Sequence, residues 1–134
     1  MVAQASRRKR VMTKPLRGYL RLLAGLTLLS ALGQLGFPAE LGAASAWGVA
    51  PGWQREIAFW DLAMYVVIAG TLRTNDAVAG RTVAIALVML QLLVGTNHAA
   101  AAFQGHAPLN AIMSVINYGG VVFGMAALRT RAVE

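Results

Sequence analysis

The sequence contains no cysteine, few charged residues and no lysine after Lys14. Without cysteine, the chain has neither a disulfide scaffold nor a cysteine zinc site. Charged residues are 13% of the chain, whereas ordinary soluble domains have about 25%. Hydrophobic residues are 57%, which argues against disorder and exceeds what a soluble domain of this length can bury. The composition therefore predicts a small membrane protein.

Motifs of several common enzyme classes are also missing. The sequence has no G-x-S-x-G, H-E-x-x-H or Walker pattern, and these patterns carry hydrolase, metalloprotease and nucleotide chemistry. The Gly119-Gly120 pair lies inside an apolar stretch with no lysine after it, so it is not a phosphate loop. Lysine for a retinal Schiff base is absent from the apolar stretches. These absences favour a non-catalytic protein.

Four apolar stretches are long enough to cross a bilayer, which takes about 20 residues in a helix. They span residues 18–36, 54–72, 82–103 and 108–128. The sequence therefore predicts an all-α polytopic membrane protein, an antiparallel bundle of four transmembrane helices over residues 18–128. Residues 1–17 form a basic N-terminal segment, and residues 129–134 form a short tail.

The basic residues predict the orientation of this bundle. Seven of the twelve lie between residues 7 and 21, two lie between the second and third spans, and two follow the fourth span. Only Arg55 falls on the opposite side. The positive-inside rule then places both termini in the cytoplasm. Arginine outnumbers lysine ten to two, which favours a bacterial source and hence the bacterial inner (plasma) membrane.

The two connections on the opposite side differ in length. The first, from Phe37 to Trp53, is long, and residues 41–47 are expected to form a short interfacial helix. The second, Gln104 to Ala107, is so short that the third and fourth spans must be antiparallel neighbours. The net charge of +7 comes from basic residues on the side predicted to be cytoplasmic. It therefore does not indicate binding to nucleic acid, and no nucleic-acid partner is expected.

Small residues predict where the spans approach one another, because helices in lipid associate through small and polar faces. In the fourth span, five residues recur every three or four positions and share one face: Asn110, Ser114, Asn117, Gly120 and Gly124. The residues expected to pack helices are Gly25, Gly33, Gly36, Ser114, Gly120 and Gly124.

Polar groups inside the spans are candidate functional residues, because such groups are unfavourable in lipid. Antiparallel spans gather most of them in the outer half of the bilayer. The candidates for ligand binding are Glu56, Asp61, Asn97, His98, His106, Asn110 and Asn117.

Four interpretations of this group are open. In the first, Asp61 and His98 form a structural hydrogen-bonded pair. In the second, the group lines a pocket for a lipid or quinone-like ligand. In the third, Asp61 and His98 act as an acid–base pair of a membrane enzyme, an isomerase or a quinone-linked oxidoreductase subunit. The fourth, a metal or haem site, is disfavoured, because His98 and His106 lie on either side of a turn and have no helical ligand spacing.

The layout resembles the DoxX-like group of small bacterial four-helix membrane proteins. The second span opens with Arg55-Glu56-Ile57-Ala58-Phe59-Trp60-Asp61, and the turn Gln104-Gly105-His106-Ala107-Pro108 precedes the fourth. The resemblance covers residues 18–128, and four residues carry over by position: Arg55, Glu56, Phe59 and Gly105. It implies an accessory subunit beside a redox enzyme or a quinone. The expected partners are the lipid bilayer and either another membrane protein or further copies of this chain.

Overall fold

A computed structural model describes residues 11–105 and 108–130. These residues form five helices: α1 (Lys14–Gly36), α2 (Pro38–Ala43), α3 (Pro51–Thr74), α4 (Ala77–Gly105) and α5 (Pro108–Arg129). Within the described ranges there is no strand, and the four longer helices are each long and apolar enough to span a membrane. The prediction of an all-α fold with four membrane-spanning segments is confirmed, and each expected span lies inside one of these helices.

Proline sets where the helices begin. All four prolines of the sequence lie within the first two positions of a helix, where a missing N–H removes no hydrogen bond. They are Pro15, Pro38, Pro51 and Pro108. At the start of α1, the Thr13 hydroxyl also accepts a hydrogen bond from the Leu16 amide at 3.4 Å. Helix boundaries in this chain therefore follow from local sequence.

The helices form two hairpin-like pairs: α1 packs along α3, and α4 packs along α5. The first pair meets the second mainly through α1, and α3 and α5 are not adjacent over their described lengths. We call the end that holds residues 11–24, 64–91 and 120–130 the termini end, and the end that holds residues 27–61 and 94–118 the loop end.

Hydrogen bonds close the termini end. The Thr13 and Thr130 hydroxyls lie 3.0 Å apart, and the Met12 amide donates to the Asn75 carbonyl. Asn75 has the left-handed conformation that often follows a helix, and Asp76 caps the start of α4 through the Ala79 amide. A turn of two residues thus suffices between α3 and α4.

The apolar core lies at the termini end, where large side chains from α1, α3 and α4 meet Ala127 of α5. Its buried members are Met12, Leu16, Tyr19, Leu20, Leu23, Ala24, Ile68, Ala84, Leu87 and Ala127. Two glycines allow this close packing. A Cβ at Gly80 would overlap Met12, and a Cβ at Gly124 would stand 2.7 Å from the Tyr19 ring.

The short helix between the first two spans differs from the expectation. It covers Pro38–Ala43 rather than residues 41–47. Pro38 favours a helix start at its own position, and the chain then turns through Ser45, whose hydroxyl donates to the Gly42 carbonyl at 2.9 Å. Gly48 has a positive φ of 73°, which ends any continuation of the helix.

Candidate functional site

Asp61 lies about midway along α3, on the side of the helix that packs against α1. Gln54, Ala58 and Ile68 are the buried residues of α3, and Asp61 lies between them on the same face. The Ser30 side chain of α1 lies beside the Asp61 carboxyl group. The second carboxylate oxygen, Oδ2, is buried and has no hydrogen-bond partner within the described residues.

Gln34 carries a second buried acceptor. It stands four residues after Ser30 on α1, hence on the same face of that helix one turn nearer to the loop end. Its Oε1 is also buried without a partner in the described ranges. The contact between α1 and α3 near Ser30 thus contains two buried acceptors, Gln34 Oε1 on α1 and Asp61 Oδ2 on α3, that can receive O–H or N–H donors.

His98 belongs to a different cluster, at the contact of α4, α5 and the first loop. Asn110 is fully buried, and its Oδ1 accepts a hydrogen bond from the Ala46 amide at 2.8 Å. The amide group of Asn110 therefore directs Nδ2, a donor, toward His98 Nδ1 at 3.1 Å. His98 Nδ1 must then accept, which leaves the ring proton on Nε2. Trp47 covers the same ring, with centroids 5.0 Å apart.

The other predicted polar residues do not join either cluster. Glu56 and Asn97 are exposed. Asn117 donates its Nδ2 to the Met113 carbonyl of its own helix at 2.8 Å. His106 lies outside the described residues.

Among the hydrogen bonds of the described residues, none joins Asp61 to His98, the pair that one of the four interpretations required. Asp61 lies beside Ser30 of α1, whereas His98 is hydrogen-bonded to Asn110 of α5. The reason is the pairing of the helices, because α3 packs mainly against α1 while α4 packs mainly against α5. Within the described ranges, no three acidic or histidine side chains come close enough to hold a metal ion.

The two glycines and the serine of α5 that were expected to pack helices face neighbouring side chains or are buried. A Cβ at Gly120 would overlap the Gln91 side chain, and Gly124 lies against Tyr19 and Val88. Ser114 is buried on the same face of α5.

The glycines of α1 differ from those of α5. A Cβ at Gly33 would lie 3.5 Å from Leu41 of α2. Gly25 and Gly36 have no neighbour within 4 Å of a Cβ position. Close helix packing therefore does not require glycine at these two positions, contrary to the expectation for them.

Two buried polar contacts were not anticipated. The Tyr19 hydroxyl donates to Gln91 Oε1 at 2.8 Å across α1 and α4. Gln54 Oε1 accepts from the Ala50 amide at 3.2 Å, and Gln54 Nε2 lies 2.6 Å from the Cβ position of Gly42. Gln91 is buried on α4 and Gln54 on α3. Their burial follows from the rotation of these helices about their axes, which the sequence alone does not give.

A shallow depression of about 310 Å³ lies on the outward side of α5. It is lined by Ala111, Ile112, Val115 and Ile116. All four side chains are apolar and belong to one helix, so the depression has none of the polar groups that would orient a ligand. The candidate site is therefore the α1–α3 contact with its two buried acceptors.

Fold and site together define a class of protein: a small, multi-pass helical membrane protein with polar groups between its helices. Comparison with known proteins finds no matching family model, no similar curated protein and no similar solved structure. The resemblance to the DoxX-like group therefore stays a prediction, and the function has to be argued from the residues.

Proposed function

We propose that the chain is a non-catalytic integral protein of the bacterial inner membrane that binds a lipid or quinone-like molecule between α1 and α3. In this proposal it is an accessory or assembly subunit of a larger membrane complex, of the DoxX-like kind. Both termini lie in the cytoplasm.

The observation that carries the ligand proposal is the pair of buried acceptors, Asp61 Oδ2 and Gln34 Oε1. A buried polar atom without a partner is destabilising by about 1–3 kcal/mol, and no water replaces the partner in the hydrocarbon core. A ligand with a hydroxyl group relieves this loss by donating to one of the two oxygens. The reduced form of a quinone and the glycerol part of a lipid both have such a hydroxyl on an otherwise apolar body.

The distribution of charge supports the orientation. Among the described residues, six basic side chains lie at the termini end: Lys14, Arg17, Arg21, Arg73, Arg81 and Arg129. The loop end has one, Arg55. The cytoplasmic side of membrane proteins is the basic side.

The exposed apolar surface supports the accessory role. The outward sides of α3 and α5 present large side chains, among them Trp60 at 73% exposure and Val115 at 72%. In a membrane these sides contact lipid tails or the helices of a partner protein.

The enzymatic alternative has less support. It requires Asp61 and His98 to act on one substrate, but Asp61 lies beside Ser30 in the α1–α3 pair and His98 bonds to Asn110 in the α4–α5 pair. His98 with its proton on Nε2 still provides one donor, so the acid–base alternative is kept as an outcome of the test below.

The test compares two carboxyl-to-amide variants on one helix, Asp61→Asn and Glu56→Gln. Both proteins are purified in mild detergent with the wild type, and the small molecules that remain bound are identified by native mass spectrometry. We expect an apolar molecule with a hydroxyl group on the wild type and a loss of about 10- to 100-fold in Asp61→Asn, since a hydrogen bond to a charged group is worth about 1.5–3 kcal/mol. Glu56 is exposed, so Glu56→Gln retains the ligand.

Two results contradict the proposal. One is a wild-type protein that carries no small molecule, and the other is equal retention by Asp61→Asn. Chemical conversion of the bound molecule by the wild type, lost in both Asp61→Asn and His98→Ala, favours the enzyme instead.

A further inference from the structure

Three basic residues form a ridge along the start of α1. Lys14, Arg17 and Arg21 are spaced by three and four residues, so their side chains share one face of the helix. Lys14 and Arg21 are exposed, and Arg17 is half-buried. Arg17 Nε is buried and has no hydrogen-bond partner within the described residues.

Acidic residues within the described ranges do not neutralise this ridge. Asp76 is the one acidic residue at the termini end within the described ranges, and its Oδ1 accepts a hydrogen bond from the Ala79 amide at the start of α4. Glu40 and Glu56 lie at the loop end, on the other side of the bundle. Without acidic neighbours among the described residues, the ridge keeps its positive charge. It lies near the membrane boundary, because the apolar stretch of α1 begins directly after Arg17.

An open apolar strip continues the same face of α1 into the membrane. Gly25 follows Arg21 by four residues and Leu32 follows Gly25 by seven, which keeps all three on one side of the helix. No atom lies within 4 Å of a Cβ position on Gly25, and Leu32 is 57% exposed. The strip therefore has a notch where a hydrocarbon chain can approach the helix backbone.

We propose that this face binds one anionic phospholipid. The headgroup phosphate lies on the ridge of Lys14, Arg17 and Arg21, and one acyl chain runs through the notch at Gly25. Arginine suits this role because its planar guanidinium donates two parallel hydrogen bonds to phosphate. Basic residues next to a membrane span attract anionic headgroups. The site is on the outward side of α1 and does not depend on the buried acceptors beside α3.

The experiment measures lipid retention by the full chain with native mass spectrometry. Protein is incubated with equal amounts of phosphatidylglycerol and phosphatidylcholine, and a second arm adds excess inorganic phosphate. We expect phosphatidylglycerol to be retained at least tenfold over phosphatidylcholine. Free phosphate should not displace it, because the acyl chain supplies part of the binding. Displacement by free phosphate, or equal retention of both lipids, overturns the proposal.

Charge-matched variants separate a defined site from general attraction. Arg17→Gln with Arg21→Gln removes two charges from the ridge, and Arg81→Gln with Arg129→Gln removes two from the same end of the bundle. The first pair is expected to lower phosphatidylglycerol retention by about 10- to 30-fold, given about 1 kcal/mol per basic residue, and the second by less than threefold. If the two double variants lose phosphatidylglycerol retention equally, the proposal of a defined site on the ridge is wrong.

Two single variants test the same site even if a double variant fails to fold. Arg21 is exposed, so Arg21→Gln tests the ridge without disturbing buried groups and should lower retention about fivefold. Gly25→Leu fills the notch without changing the charge and should lower retention of the lipid without affecting the melting temperature. Unchanged retention in Gly25→Leu contradicts the path of the acyl chain.

Discussion

The two ends of the bundle bury different kinds of side chain. At the termini end, Met12 and large side chains of α1, α3 and α4 meet Ala127 of α5 in one apolar core. At the loop end, every buried residue in the described ranges is small or polar: Ala31, Gly42, Gln54, Ala58, Gly95, Ala101, Asn110 and Ser114. Large side chains there point outward, as at Leu32, Phe59 and Val115. Tight apolar packing holds one end together, whereas individual hydrogen bonds hold the other.

From this difference we infer that the termini end stabilises the fold and that the loop end binds ligands. A close-packed core has few voids and responds to the loss or gain of a single methyl group. An interior of small and polar side chains has fewer dispersion contacts and leaves acceptors such as Asp61 Oδ2 without partners. We therefore expect substitutions at the termini end to unfold the protein, and substitutions at the loop end to change local order or binding.

The largest effect is expected for Gly124→Ala. The added Cβ would stand 2.7 Å from Tyr19 Cζ and would overlap Val88, and neither the ring nor the branched side chain can move without disturbing the core. Overpacking of this kind lowers the free energy of unfolding by about 3 kcal/mol. The measurement is unfolding in detergent, followed by circular dichroism.

Gly119→Ala is the matched control, because nothing lies within 4 Å of its Cβ position. Alanine favours helix over glycine by about 1 kcal/mol, so this variant should be as stable as the wild type or more so. Equal destabilisation by the two variants would mean that α5 does not present Gly124 to α1 and α4.

A smaller and more local effect is expected for Asn110→Ala at the loop end. The substitution leaves the Ala46 amide and His98 Nδ1 without partners, a loss of about 1–2 kcal/mol. Hydrogen–deuterium exchange should become faster for the amides of residues 44–48, while exchange at the termini end stays unchanged. Asn97→Ala is the control, since Asn97 is exposed, and comparable exchange in both variants would refute the role of Asn110 as a tether of the loop.

Much of the fold can be predicted from the sequence because it depends on local properties. Span length, apolar composition and the prolines at helix starts determine the four long helices, and all of these are properties of single segments. The shared face of Asn110, Ser114, Gly120 and Gly124 likewise follows from spacing along one helix, and these four residues are buried on α5.

The partners of the polar residues depend on how helices pair and rotate, which no single segment determines. Asp61 and His98 lie at similar depths and could have met if α3 had packed against α4. Because α3 packs mainly against α1, Asp61 meets Ser30 instead. Gly25 shows the same limit, because a glycine in a span predicts close approach, yet its side of α1 faces away from the other helices.

The smallest effect is expected for Tyr19→Phe, which tests whether one hydrogen bond matters inside the apolar core. The tyrosine ring keeps its packing, including the edge-to-face contact with Phe123 at 5.7 Å, but Gln91 Oε1 loses its donor. Hydrogen bonds between membrane helices average about 0.6 kcal/mol and reach about 1.7 kcal/mol, so the free energy of unfolding should fall by that amount. Tyr118→Phe removes a hydroxyl from an exposed pair with Thr96 and should leave stability unchanged. A loss in Tyr19→Phe as large as that in Gly124→Ala would show that the termini end, too, depends on polar contacts, and the contrast between the two ends would not hold.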